Sequence, residues 1–178
     1  MSTKFIDPEK VLFAAGLTSN QTVADFGAGS GFYSLAAAKI VGDGGMVYSL
    51  DIQEPVLDHI AAEARLKKLR NIRTIQADLE QKEAIKEIPA GTVDLVLLVN
   101  ISHQLKNLVN IYAEAYRVLK SGGKVLVVEW NDQPGPVGPT SGTRITESEV
   151  SKAAIKATFK PAGTLHVGSY HYGLIFIK

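Results

Sequence analysis

Three glycines, Gly27, Gly29 and Gly31, alternate within Val-Ala-Asp-Phe-Gly-Ala-Gly-Ser-Gly-Phe-Tyr-Ser (residues 23–34), and Asp51 and Asp78 each close a later apolar run. Alternating glycines between a strand and a helix let the backbone approach a ligand closely, with the helix N-terminus aimed at it. The spacing is not the dinucleotide fingerprint. Counted from Gly27 the last position of Gly-x-Gly-x-x-Gly falls on Phe32, and from Gly29 it falls on Ser34. Bulk there crowds the helix against the strand, where a pyrophosphate turn needs closeness. The Gly-x-x-x-x-Gly-Lys phosphate loop is absent as well. A smaller, less anionic nucleoside remains. Asp51, at the end of a strand, can accept from both ribose hydroxyls. Asp78 is placed to accept from an exocyclic adenine amine.

Those residues need elements to hold them. Asp7-Pro8-Glu9 supplies a cap, a first-turn proline and an early acid for a short helix that Gly16 ends. Strands are expected over 23–26, 46–50, 72–76, 93–99 and 124–130. Helices are expected over 35–41, 54–69, 80–87 and 105–119, with Lys120-Ser121-Gly122-Gly123 as a turn. The run Val93–Val99 is apolar throughout, as in the middle of a parallel sheet. Asp94, just after a turn, reads as structural. Strand–helix alternation of this kind predicts a doubly wound α/β sheet. Residues 131–143, with three prolines and three glycines, read as a loop, and 147–158 as a helix. Two further runs joined near Val167-Gly168-Ser169 are too close for a crossover and must form an antiparallel hairpin.

At 178 residues the chain is most simply one domain, residues 1–178. A formal net charge of +1 gives no general grip on nucleic acid. The absence of cysteine removes disulfides, thiolate zinc sites and thiol nucleophiles. No signal-like segment or membrane-length apolar run is present, so the expected location is cytoplasmic and no membrane partner is expected. Arg65, Lys67, Lys68, Arg70 and Arg73 form a basic run broken by apolar residues at helical spacing, which reads as a solvated face.

In its ordered motifs the chain resembles the class I S-adenosylmethionine-dependent methyltransferases. The resemblance rests on Val23-Ala-Asp-Phe-Gly-Ala-Gly-Ser-Gly, Tyr48-Ser-Leu-Asp, Ile75-Gln-Ala-Asp-Leu, Val93-Asp-Leu-Val-Leu-Leu-Val-Asn and Arg117-Val-Leu-Lys-Ser-Gly-Gly-Lys-Val. It covers nearly the whole chain, and 117–172 is most similar to the quinone-biosynthesis and other small-molecule enzymes. It implies a Rossmann-like, mostly parallel seven-stranded sheet with an antiparallel C-terminal strand. It also implies S-adenosyl-L-methionine as cofactor and S-adenosyl-L-homocysteine as product. On that pattern Asp25, Gly27, Ala28 and Gly29 line the methionine part, Asp51 and Ile52 hold the ribose and flank adenine, and Asp78 and Leu79 face the adenine edge. Asn100 marks the wall between cofactor and acceptor. Ser121 stands where the family commonly has proline.

An activated methyl needs an in-line nucleophile held near attack distance, and a base only if the acceptor must lose a proton. His103, shortly after Asn100, is the candidate to deprotonate or orient the acceptor; its alternative is to cap the helix expected from 105. Asn100 is the second catalytic candidate. Glu129, Trp130, His166, Tyr170, His171 and Tyr172 face the same side, and three histidines without supporting carboxylate spacing predict no metal site. Arg144 either grips an anionic acceptor or ties loop carbonyls, and the 131–143 loop is either a lid or a connector. The expected partner is a small-molecule acceptor. The sequence Asn100-Ile-Ser-His lacks the Asn/Asp-Pro-Pro-Tyr/Phe motif of amino-methylating enzymes. A nucleic-acid or protein methyltransferase and a non-catalytic S-adenosylmethionine-binding module are the alternatives.

Overall fold

A computed structural model describes residues 6–81, 83–134 and 138–178. Seven strands form one sheet: β1 (Thr22–Phe26), β2 (Met46–Asp51), β3 (Ile72–Gln76), β4 (Val93–Val99), β5 (Leu119–Trp130), β6 (Lys160–Leu165) and β7 (His171–Ile177). Their order is β3-β2-β1-β4-β5-β7-β6, with the first five parallel and β7 antiparallel to both neighbours. The helices are α1 (Pro8–Ala14), α2 (Phe32–Val41), α3 (Glu54–Leu66), α4 (Leu108–Val118) and α5 (Glu147–Lys156). Among the described residues no helix is long and apolar enough to cross a membrane.

Burial on both faces explains the apolar strands. Along β4, Leu95 and Leu97 join Val23, Leu12 and Ala37 in one core, while Val96 and Leu98 join Phe26, Tyr112 and Phe159 in the other. Successive side chains point to opposite faces, so a strand covered on both sides has no polar phase to alternate with. The order reverses between β1 and β4. A crevice at their carboxyl ends follows, and open α/β sheets place ligands there.

Local chemistry sets the element ends. Asp7 accepts from the amides of Glu9 and Lys10 at the start of α1. Thr146 and Glu149 form a reciprocal capping box on α5. Helix α3 stops at Leu66 rather than running to 69, because Lys68 takes a left-handed φ of 57°. Helix α4 begins at Leu108 rather than 105, because Asn107 caps it through the Val109 amide and a 3-10 turn occupies Ser102–Gln104.

Two expectations are corrected. No helix forms among the described residues of 80–87. Asp78 turns back on the Glu80 amide (3.0 Å), Glu83 sits at a left-handed φ of 53°, and Arg117 takes the carbonyls of Ile85 and Ile88 at 2.6 and 3.0 Å. The left-handed Glu83 interrupts any helix through the segment, and Pro89 has no N–H to offer the Ile85 carbonyl, which Arg117 takes. Residues 120–123, expected as a turn, belong to β5 as an irregular entry: the register against β4 shifts between Val93 and Leu95, with Gly122 at φ 77°.

Candidate active site

The carboxyl ends of β1, β2, β4 and β5 and the start of β7 surround a cleft of about 870 Å³. That is room for a nucleoside and a small partner molecule together. Of the residues expected to bind or act, Asp25, Gly27, Ala28, Gly29, Asp51, Ile52 and Asn100 line it.

The glycine turn is built by three left-handed residues, Gly27 (φ 77°), Gly29 (φ 50°) and Gly31 (φ 76°). The amides of Gly27 and Ala28 both donate to the Leu50 carbonyl at 2.8 Å, which fastens the turn to β2. The three glycines serve different ends. A Cβ on Gly27 would lie 2.7 Å from Ile101 Cγ1, and one on Gly31 would lie 2.6 Å from Ile60 Cγ1. A Cβ on Gly29 would meet nothing within 4 Å. Gly29 alone therefore keeps backbone open to the cleft.

Asp51 is buried at the end of β2. One carboxylate oxygen accepts from the Gly29 amide (3.1 Å) and the other from the Gln53 amide (3.0 Å). Each oxygen retains acceptor capacity for a further donor. Asp25 is buried as well, and receives the Ser34 hydroxyl (2.6 Å), which in turn receives that of Ser49 (2.7 Å). Burial, aided by the charge of Asp51, pushes the Asp25 carboxyl up to about 6 against the hydrogen bonds from Ser34. A carboxylate so placed favours a cationic partner. Asn100, after β4, holds a left-handed φ of 53°, and its Oδ1 is buried without a partner.

Three expected residues lie elsewhere. Asp78 accepts from the Glu80 amide and from Gln81 Nε2 (3.2 Å) and does not line the cleft. Leu79 is in the core. His103 is absent from the cleft lining. Its Nδ1 lies 2.8 Å from Oε2 of the fully buried Glu129, whose Oε1 accepts from the Ser102 amide at 2.6 Å. That pairing fixes the 3-10 turn carrying Ile101 and Gln104 into the cleft wall.

The cleft lining also includes Tyr33, Ile101, Gln104, Trp130 and His171. Trp130 and His171 are register partners on β5 and β7, with ring centroids 4.0 Å apart. Ile6 and Pro8 escape sequence reasoning because long-range packing brings them there; Tyr33, after the glycine turn, and Ile101 and Gln104, after Asn100, sit beside residues the sequence does single out. Arg144 ties the following loop, donating to the carbonyls of Asn131, Gln133 and Pro139. His166 is exposed, and Tyr172 donates to the Ile145 carbonyl. The basic run from Arg65 to Arg73 is exposed and off the cleft, while Asp94 braces the Thr22 amide and Lys120. Among the described residues no cluster of three His, Cys, Asp or Glu could hold a metal ion.

A family model described as a methyltransferase domain matches residues 17–167. The chain belongs to the class I S-adenosylmethionine-dependent methyltransferases. Within that family it is similar to the ubiquinone/menaquinone biosynthesis C-methyltransferase UbiE of Escherichia coli O1:K1, 33% identical over 123 residues, which is 66% of this chain and 45% of that protein. The match thus spans under half the length of this curated relative. A S-adenosylmethionine-dependent methyltransferase from Aquifex aeolicus superposes with a TM-score of 0.89 at 28% identity, covering 98% of this chain and 90% of that one. The geranyl diphosphate C-methyltransferase of Streptomyces coelicolor A3(2), solved with S-adenosyl-L-homocysteine, shares the fold at 15% identity and a TM-score of 0.76, covering 96% and 78%. The methyltransferase fold and its cofactor class agree with the buried acids and open glycine of the cleft.

Proposed function

We propose that this protein transfers a methyl group from S-adenosylmethionine to a small-molecule acceptor in the same cleft. The observation that carries this reading is Asp51. A buried carboxylate at a strand end, braced by two backbone amides and with lone pairs to spare, suits the two hydroxyls of a ribose.

The residues present fit the cofactor. Gly29 offers open backbone, Asp25 offers a buried anion for the methionine ammonium, and Ile52 and Gln53 extend from Asp51 as walls for adenine. Gly27 and Ala28 complete the methionine side. When bound, S-adenosylmethionine supplies a methyl on a positively charged sulfur. The chain's own contribution is orientation and exclusion of water, which can lower a barrier by several kcal/mol. Asn100 lines the cleft after β4, between the glycine turn and the β5–β7 end. The Glu129–His103 pair holds the acceptor wall in shape. The UbiE and geranyl diphosphate relatives, both methyltransferases of small molecules by name, support an acceptor of that size.

Methyl transfer from S-adenosylmethionine to panels of small hydroxylated and prenylated compounds, read by S-adenosylhomocysteine release, tests the reading. Turnover that Asp51→Ala abolishes supports it. Cofactor binding without turnover on small molecules, nucleic acid or protein supports the non-catalytic module instead.

A further inference from the structure

Two serines lie in the apolar layer between the sheet and α2: Ser34 on α2 and Ser49 on β2, each 0% exposed. Ser49 is the register partner of Asp25, and each stands two positions after a valine, Val47 or Val23, that packs with α2. The Ser49 hydroxyl donates to Ser34 Oγ (2.7 Å), and the Ser34 hydroxyl donates to Asp25 Oδ2 (2.6 Å). Both donors thus run towards the carboxylate. A buried hydroxyl costs stability unless it is bonded, and alanine, present at 36–38 of the same helix, would be the cheaper residue at 34. The chain of hydroxyls serves Asp25.

Asp25 lines the cleft, and burial holds its carboxyl high, at about 6. The Ser34 hydroxyl and amide pull it down, while the charge of Asp51 at the end of β2 pushes it up. Among the described residues the other titratable group facing it is the Tyr33 phenol on α2, which burial and the Asp25 charge hold well above the usual phenol range. Its register partner on β4 is the apolar Leu97. Hydrogen bonds to the charged form favour that form, and donors in a chain polarise one another. Oδ2 is the oxygen that the serines hold. Oδ1 accepts nothing among the described residues and is not one of the unpartnered atoms shut off from solvent, so it is the oxygen open to the cleft.

Resting on the methyl-transfer reading, we propose that Ser34 and Ser49 are positioning residues for the cofactor, holding the Asp25 carboxylate ionised and turned so that Oδ1 receives the methionine ammonium. Neither serine lines the cleft, so both act through Asp25. The consequence is a working pH range. S-adenosylmethionine and S-adenosylhomocysteine carry the same ammonium, and each loses this ion pair when Asp25 is protonated. Without the Ser34 donor the carboxyl rises further, and its protonation reaches into the neutral range. A serine that only filled space would change affinity equally at every pH.

Two probes separate these effects: S-adenosylhomocysteine, and 5′-methylthioadenosine, which keeps the nucleoside and lacks the amino-acid chain. Both are titrated calorimetrically into the full chain from pH 5.5 to 8. Wild type is expected to lose S-adenosylhomocysteine affinity as pH falls through about 6. In Ser34→Ala that inflection moves up by about one pH unit, the size of one lost hydrogen bond to a charged group. S-adenosylhomocysteine then binds about fivefold weaker than to wild type at pH 6 and within about twofold at pH 8. Ser49→Ala, which removes only the outer bond, moves the inflection less and carries the test if Ser34→Ala does not fold. Methylthioadenosine affinity stays within about twofold in both variants, because it offers Asp25 no ammonium. An inflection unmoved in both variants, a loss equal at pH 6 and pH 8, or methylthioadenosine weakened as much as S-adenosylhomocysteine overturns the proposal. Failure of S-adenosylhomocysteine to bind wild type overturns the methyl-transfer reading. Carboxyl 13C NMR titration of the free protein, with Asp25→Asn assigning the signal, then still judges the serines: an Asp25 titration identical in wild type and variants overturns their role.

Discussion

Asp25 and His171 sit in the same cleft and titrate in opposite senses. Folding raises the Asp25 carboxyl from 3.8 to about 6. Between those values the folded state binds more protons, so this group lowers stability as pH rises, with the full cost present above about pH 6. Folding lowers His171 from 6.5 to about 4. There the unfolded state binds more protons, so this group lowers stability as pH falls from 6.5 towards 4. In the overlap the two slopes oppose. Urea denaturation should therefore show Asp25→Asn more stable than wild type at pH 7, by on the order of 3 kcal/mol at most, and falling more steeply on acidification. His171→Phe should gain stability relative to wild type as pH drops from 6 to 4.5. Parallel pH profiles for all three proteins would show that neither group is perturbed by its surroundings. If the methionine ammonium neutralises Asp25, cofactor binding near pH 5.5 releases a proton, visible as a calorimetric heat that scales with buffer ionisation enthalpy.

At the scale of elements, the glycine turn separates what the fold needs from what the ligand needs. Gly27→Ala sets a Cβ against Ile101 at 2.7 Å in a left-handed conformation, and should cost about 2–4 kcal/mol of stability. Gly29→Ala meets no atom within 4 Å and should cost only about 1 kcal/mol from its φ. Its loss of S-adenosylhomocysteine affinity should exceed that of its stability. Equal stability losses would contradict the division of labour. The buried Glu129 organises the wall opposite: Glu129→Leu strands the Ser102 amide and the His103 ring and should cost about 2–4 kcal/mol, with Glu129→Gln milder. Both are read by urea denaturation. The strands were legible in the sequence because double burial writes continuous apolar runs such as Val93–Val99, and α1 because its cap is local. Residues 80–87 were not, because Glu83 takes a left-handed backbone that breaks the helix and Arg117, far along the chain, ties down the Ile85 and Ile88 carbonyls.

Across the whole molecule, the cleft exists because the strand order reverses between β1 and β4 and because β7 returns beside β5. Part of its lining is readable from short motifs: Asp25, Gly27, Ala28, Gly29, Asp51, Ile52 and Asn100 all line the cleft. Asp78 and Leu79 do not line it, and nothing in the sequence separates Asp78 from Asp51, since each comes at the end of a strand and accepts from the amide two residues on. The β5–β7 side of the cleft depends on pairing across the sheet. Trp130 and His171 are 41 positions apart and meet only through the β5–β7 register, whereas His103, close in sequence to Asn100, turns away to Glu129. The most direct test of the account is calorimetric titration of S-adenosylhomocysteine and NAD into wild type and Asp51→Asn. We predict sub-millimolar S-adenosylhomocysteine binding to wild type, weakened about 10–100-fold in Asp51→Asn by loss of charge-assisted hydrogen bonds, and no comparable NAD binding. Undetectable S-adenosylhomocysteine binding, or affinity unchanged in Asp51→Asn, would contradict it.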